Sequence, residues 1–134
     1  MNSDAARRMM DAARTRAEEV GKPVSIAIVD SGGSLMALER LSNAPSATVV
    51  VAEGKAVASA VMGRDSARLE AMAESLPTII NALMIRYEGR FVPAQGGVAV
   101  RDAGNVIGGI GVSGATSEED EAIARAGADA FAAG

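Results

Sequence analysis

Apolar and polar positions alternate along the chain with two different periods, and the change of period marks out the elements. From Ser3 to Val20, Ala6, Met9, Met10, Ala13, Ala17 and Val20 fall on one helical stripe, while Arg7–Asp11 and Arg14–Glu18 stand four apart elsewhere on the surface. Ser3 is a suitable cap for this helix, Gly21 a suitable end, and Pro23 prevents its resumption. Val24–Asp30 and Ser34–Leu41 then read as strands around Ser31-Gly32-Gly33, a hairpin signal in which Asp30 is placed to hold the turn through an Asx bond. Ile26 and Ile28 alternate with Ser25, Ala27 and Val29, so both faces of the first strand are expected to be at least partly covered. Ser46–Met62 carries only Glu53 and Lys55 as charges. Its three consecutive valines also suit a strand, but the length and the alanines predict a largely buried helix ended by Gly63.

Arg64-Asp65-Ser66 opens a short helix, capped by Asp65 or Ser66, with Leu69, Met72 and Ala73 inward. Pro77 separates it from a further helical turn or two over Thr78–Tyr87, and Phe91-Val92-Pro93 is a short extended piece beyond. It leads into Gly96–Gly114, the stretch around which the other elements are organised. Val98–Val100 and Asn105–Val112 are strands there, joined by Arg101-Asp102-Ala103-Gly104. The second strand carries Gly108, Gly109 and Gly111. Glycine weakens a strand through backbone entropy, so its repeated use points to a helix, a subunit or a ligand coming close to the backbone. Thr116 and Ser117, followed by Glu118, Glu119 and Asp120, then start a helix whose expected inner stripe is Ile123, Ala126 and Ala130. Strand pairs on tight turns with helices between them predict one α+β domain over residues 1–134, built on an antiparallel sheet.

Composition narrows the chemistry. The net charge is −4, the positive charges are dispersed, and Tyr87, Phe91 and Phe131 are the only rings, so nucleic acid is not an expected partner. The absence of cysteine removes disulfides, thiolate chemistry and the usual zinc sites; the absence of histidine removes the commonest general base and the commonest haem and metal ligand. No metal site is expected. Without a leader-like start or an apolar run of membrane-spanning length, the expectation is a soluble cytoplasmic protein with no membrane partner.

Few residues remain for a site. Lys55 is one of two lysines and stands among small apolar residues, so it either snorkels or ion-pairs, or is held for an anionic partner. Arg40 is either a solvated strand end or an anion contact at the end of a sheet. Gly111-Val112-Ser113-Gly114 approaches the nucleophile elbow G-x-S-x-G but has Ala115 where the last glycine belongs, and no histidine exists to serve it. A Ser–Lys dyad with Lys55 satisfies residue types alone. Glu118 and Glu121 suit a helix start better than an acid/base pair, and the glycines lie in a strand–turn–strand order that is no nucleotide fingerprint.

Val29-Asp30-Ser31-Gly32-Gly33 followed by Arg40, Ala52-x-x-Lys55-Ala56, Gly96-Gly97-Val98, and Val106 through Gly114 with Asp120-Glu121 beyond together resemble the GlcG-like, or haem-degrading-domain, family. The resemblance implies a profilin-like fold with a five-stranded antiparallel sheet flanked by helices, and a ring-like or octameric homo-oligomer. It also implies that Lys55, Arg40 and the Gly-rich strand lie near a shared pocket or subunit contact, and that haem is bound and in some members degraded. The chain departs from that function in having no imidazole, so Tyr87, a methionine or a hydroxyl would have to replace it. The leading expectation is therefore a homo-oligomeric protein holding an anionic metabolite such as a carboxylate. Arg40 and Lys55 would supply charge, and Gly96, Gly97, Ser113 and Gly114 hydrogen bonds. The alternatives are haem binding without histidine, an isomerase or lyase using Lys55 as acid/base or Schiff-base former, and a purely structural subunit.

Overall fold

The computed structural model describes residues 1–133. In chain order the elements are α1 (Ser3–Val20), β1 (Ser25–Asp30), β2 (Leu35–Arg40), α2 (Ala47–Met62), α3 (Ser66–Ser75), α4 (Pro77–Arg86), β3 (Gly97–Asp102), β4 (Asn105–Ser113) and α5 (Ser117–Ala133). The strands form one antiparallel sheet in the order β2-β1-β4-β3. Among the described residues it has four strands, not the expected five. The extended piece at Phe91-Val92-Pro93 does not join it. Val92 gives its N–H to the Gly54 carbonyl on α2, and Pro93 has no N–H to give.

Alternation along the strands sorts side chains onto two faces. Ile26, Ile28, Val98, Val100, Ile110 and Val112 point to one face and pack with Met9, Met10, Ala13 and Ala17 of α1 and Ile123 and Ala124 of α5. Ala27 and Val29 point to the other, against Ala52, Ala56, Val57 and Ala60 of α2. A third cluster, Ala58, Leu69, Ile80 and Phe91, ties α3 and α4 to the outside of α2. The result is a sheet between helical layers, and no helix among the described residues is long and apolar enough to cross a membrane.

Local chemistry explains most boundaries. Asn2, not Ser3, caps α1, its Oδ1 accepting the Ala5 N–H at 2.8 Å, and Gly21 closes the helix at φ 76°. Asp30 Oδ1 accepts from Gly32 and Ser34, both at 3.0 Å, which is the expected Asx turn. The β3–β4 turn is tighter than expected: Arg101 and Asp102 belong to the strand, and only Ala103 and Gly104 turn, both at positive φ. Thr116 and Glu119 make a reciprocal capping box before α5, with Glu119 N–H on Thr116 Oγ1 and Thr116 N–H on Glu119 Oε1. Those bonds and Lys22 at 3.0 Å hold the Glu119 carboxyl below its usual range. The inward stripe of α5 is Asp120, Ile123, Ala124 and Gly127; Ala126 and Ala130 are only half-buried.

Asp65 and Ser66 were candidates to cap α3, and neither side chain does so. Both turn instead to β3, the outer strand. Ser66 Oγ takes the Gly97 N–H at 2.7 Å, and Asp65 Oδ1 takes the Ala99 N–H at 3.1 Å. An edge strand leaves such amides unpaired, so these two side chains do the work of a neighbouring strand.

Candidate functional site

The Gly-rich strand and α2 meet without intervening side chains. A Cβ on Gly111 would run into the Ala52 carbonyl, and one on Gly109 into the Ala56 carbonyl. On Gly97 it would stand 2.5 Å from the Lys55 carbonyl and 2.6 Å from Ser59 Oγ. Gly97, Gly109 and Gly111 share one face of the sheet, so together they make a smooth track on which the backbone of α2 rests. Close packing accounts for this glycine pattern. Ser59 Oγ is buried behind the track with no hydrogen-bond partner among the described residues.

At the end of the track Lys55 turns past the start of β3. Its Nζ donates to the Val112 carbonyl at 2.9 Å and to Asp120 Oδ2 at 3.2 Å. Both side chains are nearly excluded from solvent, 6% and 4% exposed. Gly96 makes room for this knot at φ 127°, where a Cβ would lie 2.7 Å from Nζ and 2.8 Å from the Val112 carbonyl. The other Asp120 oxygen accepts the Ala115 N–H at 2.9 Å. Burial pushes the Asp120 carboxyl above its usual range, and the Ala115 amide and Lys55 offset this only in part. Lys55 has thus taken the ion-pair alternative, and the pair fastens α2 on one face of the sheet to α5 on the other.

The remaining predicted residues lie around this knot. Ser25 pairs with both Arg40 and Ser113, so Arg40, Ser25 and Ser113 form a row across the α2-facing side of the sheet at the same end. Ser25 Oγ is bonded to Thr48 at 2.8 Å. Arg40 is exposed and spends its Nε on the Ala44 carbonyl at 2.8 Å. Ser113 is half-buried, and Gly114 is exposed at φ 133°, where a Cβ would lie 2.5 Å from the Pro23 carbonyl oxygen. The structure therefore brings Lys55, Gly96 and Gly97 into one buried cluster and leaves Arg40, Ser113 and Gly114 on its rim. Asp120 is the member that the sequence placed at a helix start and in the family motif but not in the site. Its helical spacing from Ile123, Ala124 and Gly127 is the signal that places it inward.

The knot itself is filled, and a cleft of about 280 Å³ lies beside its rim, lined by residues that include Lys22, Pro23, Leu41 and Asn43. A cleft of about 370 Å³ runs along the outer side of β3, lined by residues of the α2–α3 turn, α3, β3 and α5, including Arg64, Arg68, Arg101 and Arg125. Another, of about 510 Å³, lies between α1 and β2 and includes Arg7, Met10 and Met36. Among the described residues no group of three or more acidic side chains is gathered closely enough to hold a metal ion.

An antiparallel sheet with α1 and α5 on one face, α2 on the other and a glycine track beneath it defines a recognisable class of small α+β domains. The sequence model of the family described as haem degrading protein, HbpS-like, matches residues 1–129, and the chain belongs to that family. Among solved structures it is similar to the Klebsiella pneumoniae protein ORFY, at 26% identity and a TM-score of 0.90 over 99% of this chain and 91% of that one. It is also similar to the PduOC chain crystallised with haem, at 27% identity and a TM-score of 0.85 over 97% of this chain and 94% of that one. The corrinoid adenosyltransferase PduO of Citrobacter freundii is 32% identical over 84% of this chain, which spans only 33% of that enzyme.

The residues present do not fit a haem held through imidazole or thiolate, since the chain has neither histidine nor cysteine. Its one phenol is no better placed: Tyr87 is stacked on Phe91 at 5.9 Å between ring centres, in the cluster under α4, and lines none of these clefts.

Proposed function

We propose that this protein binds a small anionic metabolite at the sheet end beside β4. The observation that carries the reading is a haem-family architecture kept over nearly the whole chain in a sequence without the usual iron ligands. Arg40, Ser113 and Gly114 offer a guanidinium, a hydroxyl and an exposed backbone on the rim. Lys55, Gly96 and Gly97 stand behind them as support, because the Lys55 charge is already balanced by Asp120. An acid–base or Schiff-base role for Lys55 finds no support in that pairing. A homo-oligomer, with the octamer as one candidate size, is the assembly we propose from the family likeness.

Haem without histidine is the second reading. It is favoured by the haem complex of the similar PduOC chain and by the thioethers of Met10 and Met36 at the cleft between α1 and β2. Hemin titration followed at the Soret band, with native mass spectrometry of protein from its own host, separates the two. The anionic-metabolite reading expects no saturable Soret shift and a retained mass other than haem. A stoichiometric shift with a retained haem mass would replace it by the second reading.

A further inference from the structure

The cleft along the outer side of β3 is distinct from the sheet-end site and has its own electrostatic character. Four of the chain's eleven arginines line it, against two carboxylates, Asp65 and Asp129. Glu121 is also close enough to act on Arg125, so these groups leave a surplus of one positive charge on a chain whose net charge is −4. Asp65 is also engaged already, accepting from the Ala99 amide and from Arg125. Arg101 is braced by the carbonyls of Gly63 and Gly104, and Arg64 gives one N–H to Met72 Sδ at 3.3 Å. Arg68 makes no ion pair among the described residues and stands exposed at the rim. Ala99, Ala128 and Ala132 keep the lining low between the arginines.

Four arginines brought to one small concavity from the α2–α3 turn, α3, β3 and α5 are suited to a polyvalent oxyanion, because a guanidinium presents a planar fork of donors that matches phosphate oxygens. The cleft's 370 Å³ suits one small ligand. We propose that this cleft binds the phosphoryl group of a small phosphate-bearing molecule, or free phosphate itself, with Arg64 and Arg68 as the adaptable contacts and Arg101 and Arg125 as the fixed ones. The site follows from the fold: β3 is the outer strand, so α3 with the turn before it and α5 reach past it from opposite faces and bring residues 64, 68, 101 and 125 together.

The test is an NMR titration of the isotope-labelled full chain at low ionic strength with inorganic phosphate and with AMP. Sodium chloride of matched ionic strength is the control. The expected result is saturable shifts confined to amides near Ala99, Arg101 and Arg125, with binding at least tenfold weaker in the Arg64→Ala, Arg68→Ala double variant. Tighter binding of AMP identifies an organic phosphate, and equal binding the free anion. Shifts no larger than those from sodium chloride, or saturable shifts the double variant leaves unchanged, would overturn the proposal. Both substitutions are at exposed positions, and an unchanged spectrum outside the cleft shows that the variant is folded.

Discussion

Two cation–carboxylate pairs tie α5 to the opposite side of the sheet, and they lie in contrasting environments. Lys55–Asp120 is sealed at the end of the glycine track, with an N–O separation of 3.2 Å; Arg125–Asp65 lies on the rim of the cleft at 2.5 Å, with side chains 46% and 29% exposed. The shorter pair is the less consequential one. Water and salt screen the rim pair, whereas nothing but its partner and nearby backbone compensates a charge at the knot. The same protein thus uses one pair to fasten its layers and leaves a neighbouring group of positive charges accessible to solution.

Removing one buried partner should have the largest effect. Asp120→Ala leaves the Lys55 ammonium uncompensated and should cost about 3–5 kcal/mol in urea unfolding. Lys55→Met combined with Asp120→Leu should recover most of that loss, since an apolar pair needs no compensation. A double variant as unstable as Asp120→Ala would show that the knot matters for shape and not for charge.

Asp120→Asn sharpens the same point through pH. Burial raises the Asp120 pKa in the folded chain, so the folded state holds this proton more tightly than the unfolded state does. The group's contribution to stability is therefore present at acid pH and lost as pH rises through the raised value. Asparagine is neutral throughout, so unfolding midpoints measured across that window should fall less with rising pH in the variant than in the parent. An unchanged slope would contradict the assignment.

At the rim the effects should be small. Arg125→Ala should cost no more than about 1 kcal/mol, less at high salt, because its partner stays in contact with water and with the Ala99 amide. Arg68→Ala should change stability by no more than about 0.5 kcal/mol in either direction while weakening phosphate binding. A large loss of stability from Arg68→Ala would place that side chain in the structure's support and not in a binding surface.

Much of the fold could be read from periodicity, because each element carries its own pattern: the α1 stripe, the alternation of β1, the alanines of α2, the carboxylates before α5. Lys55 stood out for a related reason, as a lone charge on an apolar helix. Its partner did not, since Asp120 is 65 residues away and sits where any helix favours an acid. Asp65 and Ser66 misled in the same way: they are good caps by type, but the open amides of β3 compete for them and win. The arginine cleft was the least legible feature. Residues 64, 68, 101 and 125 each look like ordinary surface arginines, and only the strand order makes them neighbours. The fifth strand expected from family likeness is not found among the described residues, and the extended piece at Phe91-Val92-Pro93 turns its Val92 amide to α2 instead of to the sheet.

The side chains of Asp65 and Ser66 that close off β3 also limit the sheet as a template for growth. A further chain adding backbone to backbone beside β3 would find its amides already satisfied at Gly97 and Ala99. Two short polar side chains thus stand where an added strand would have to pair, and they guard this edge against open-ended growth.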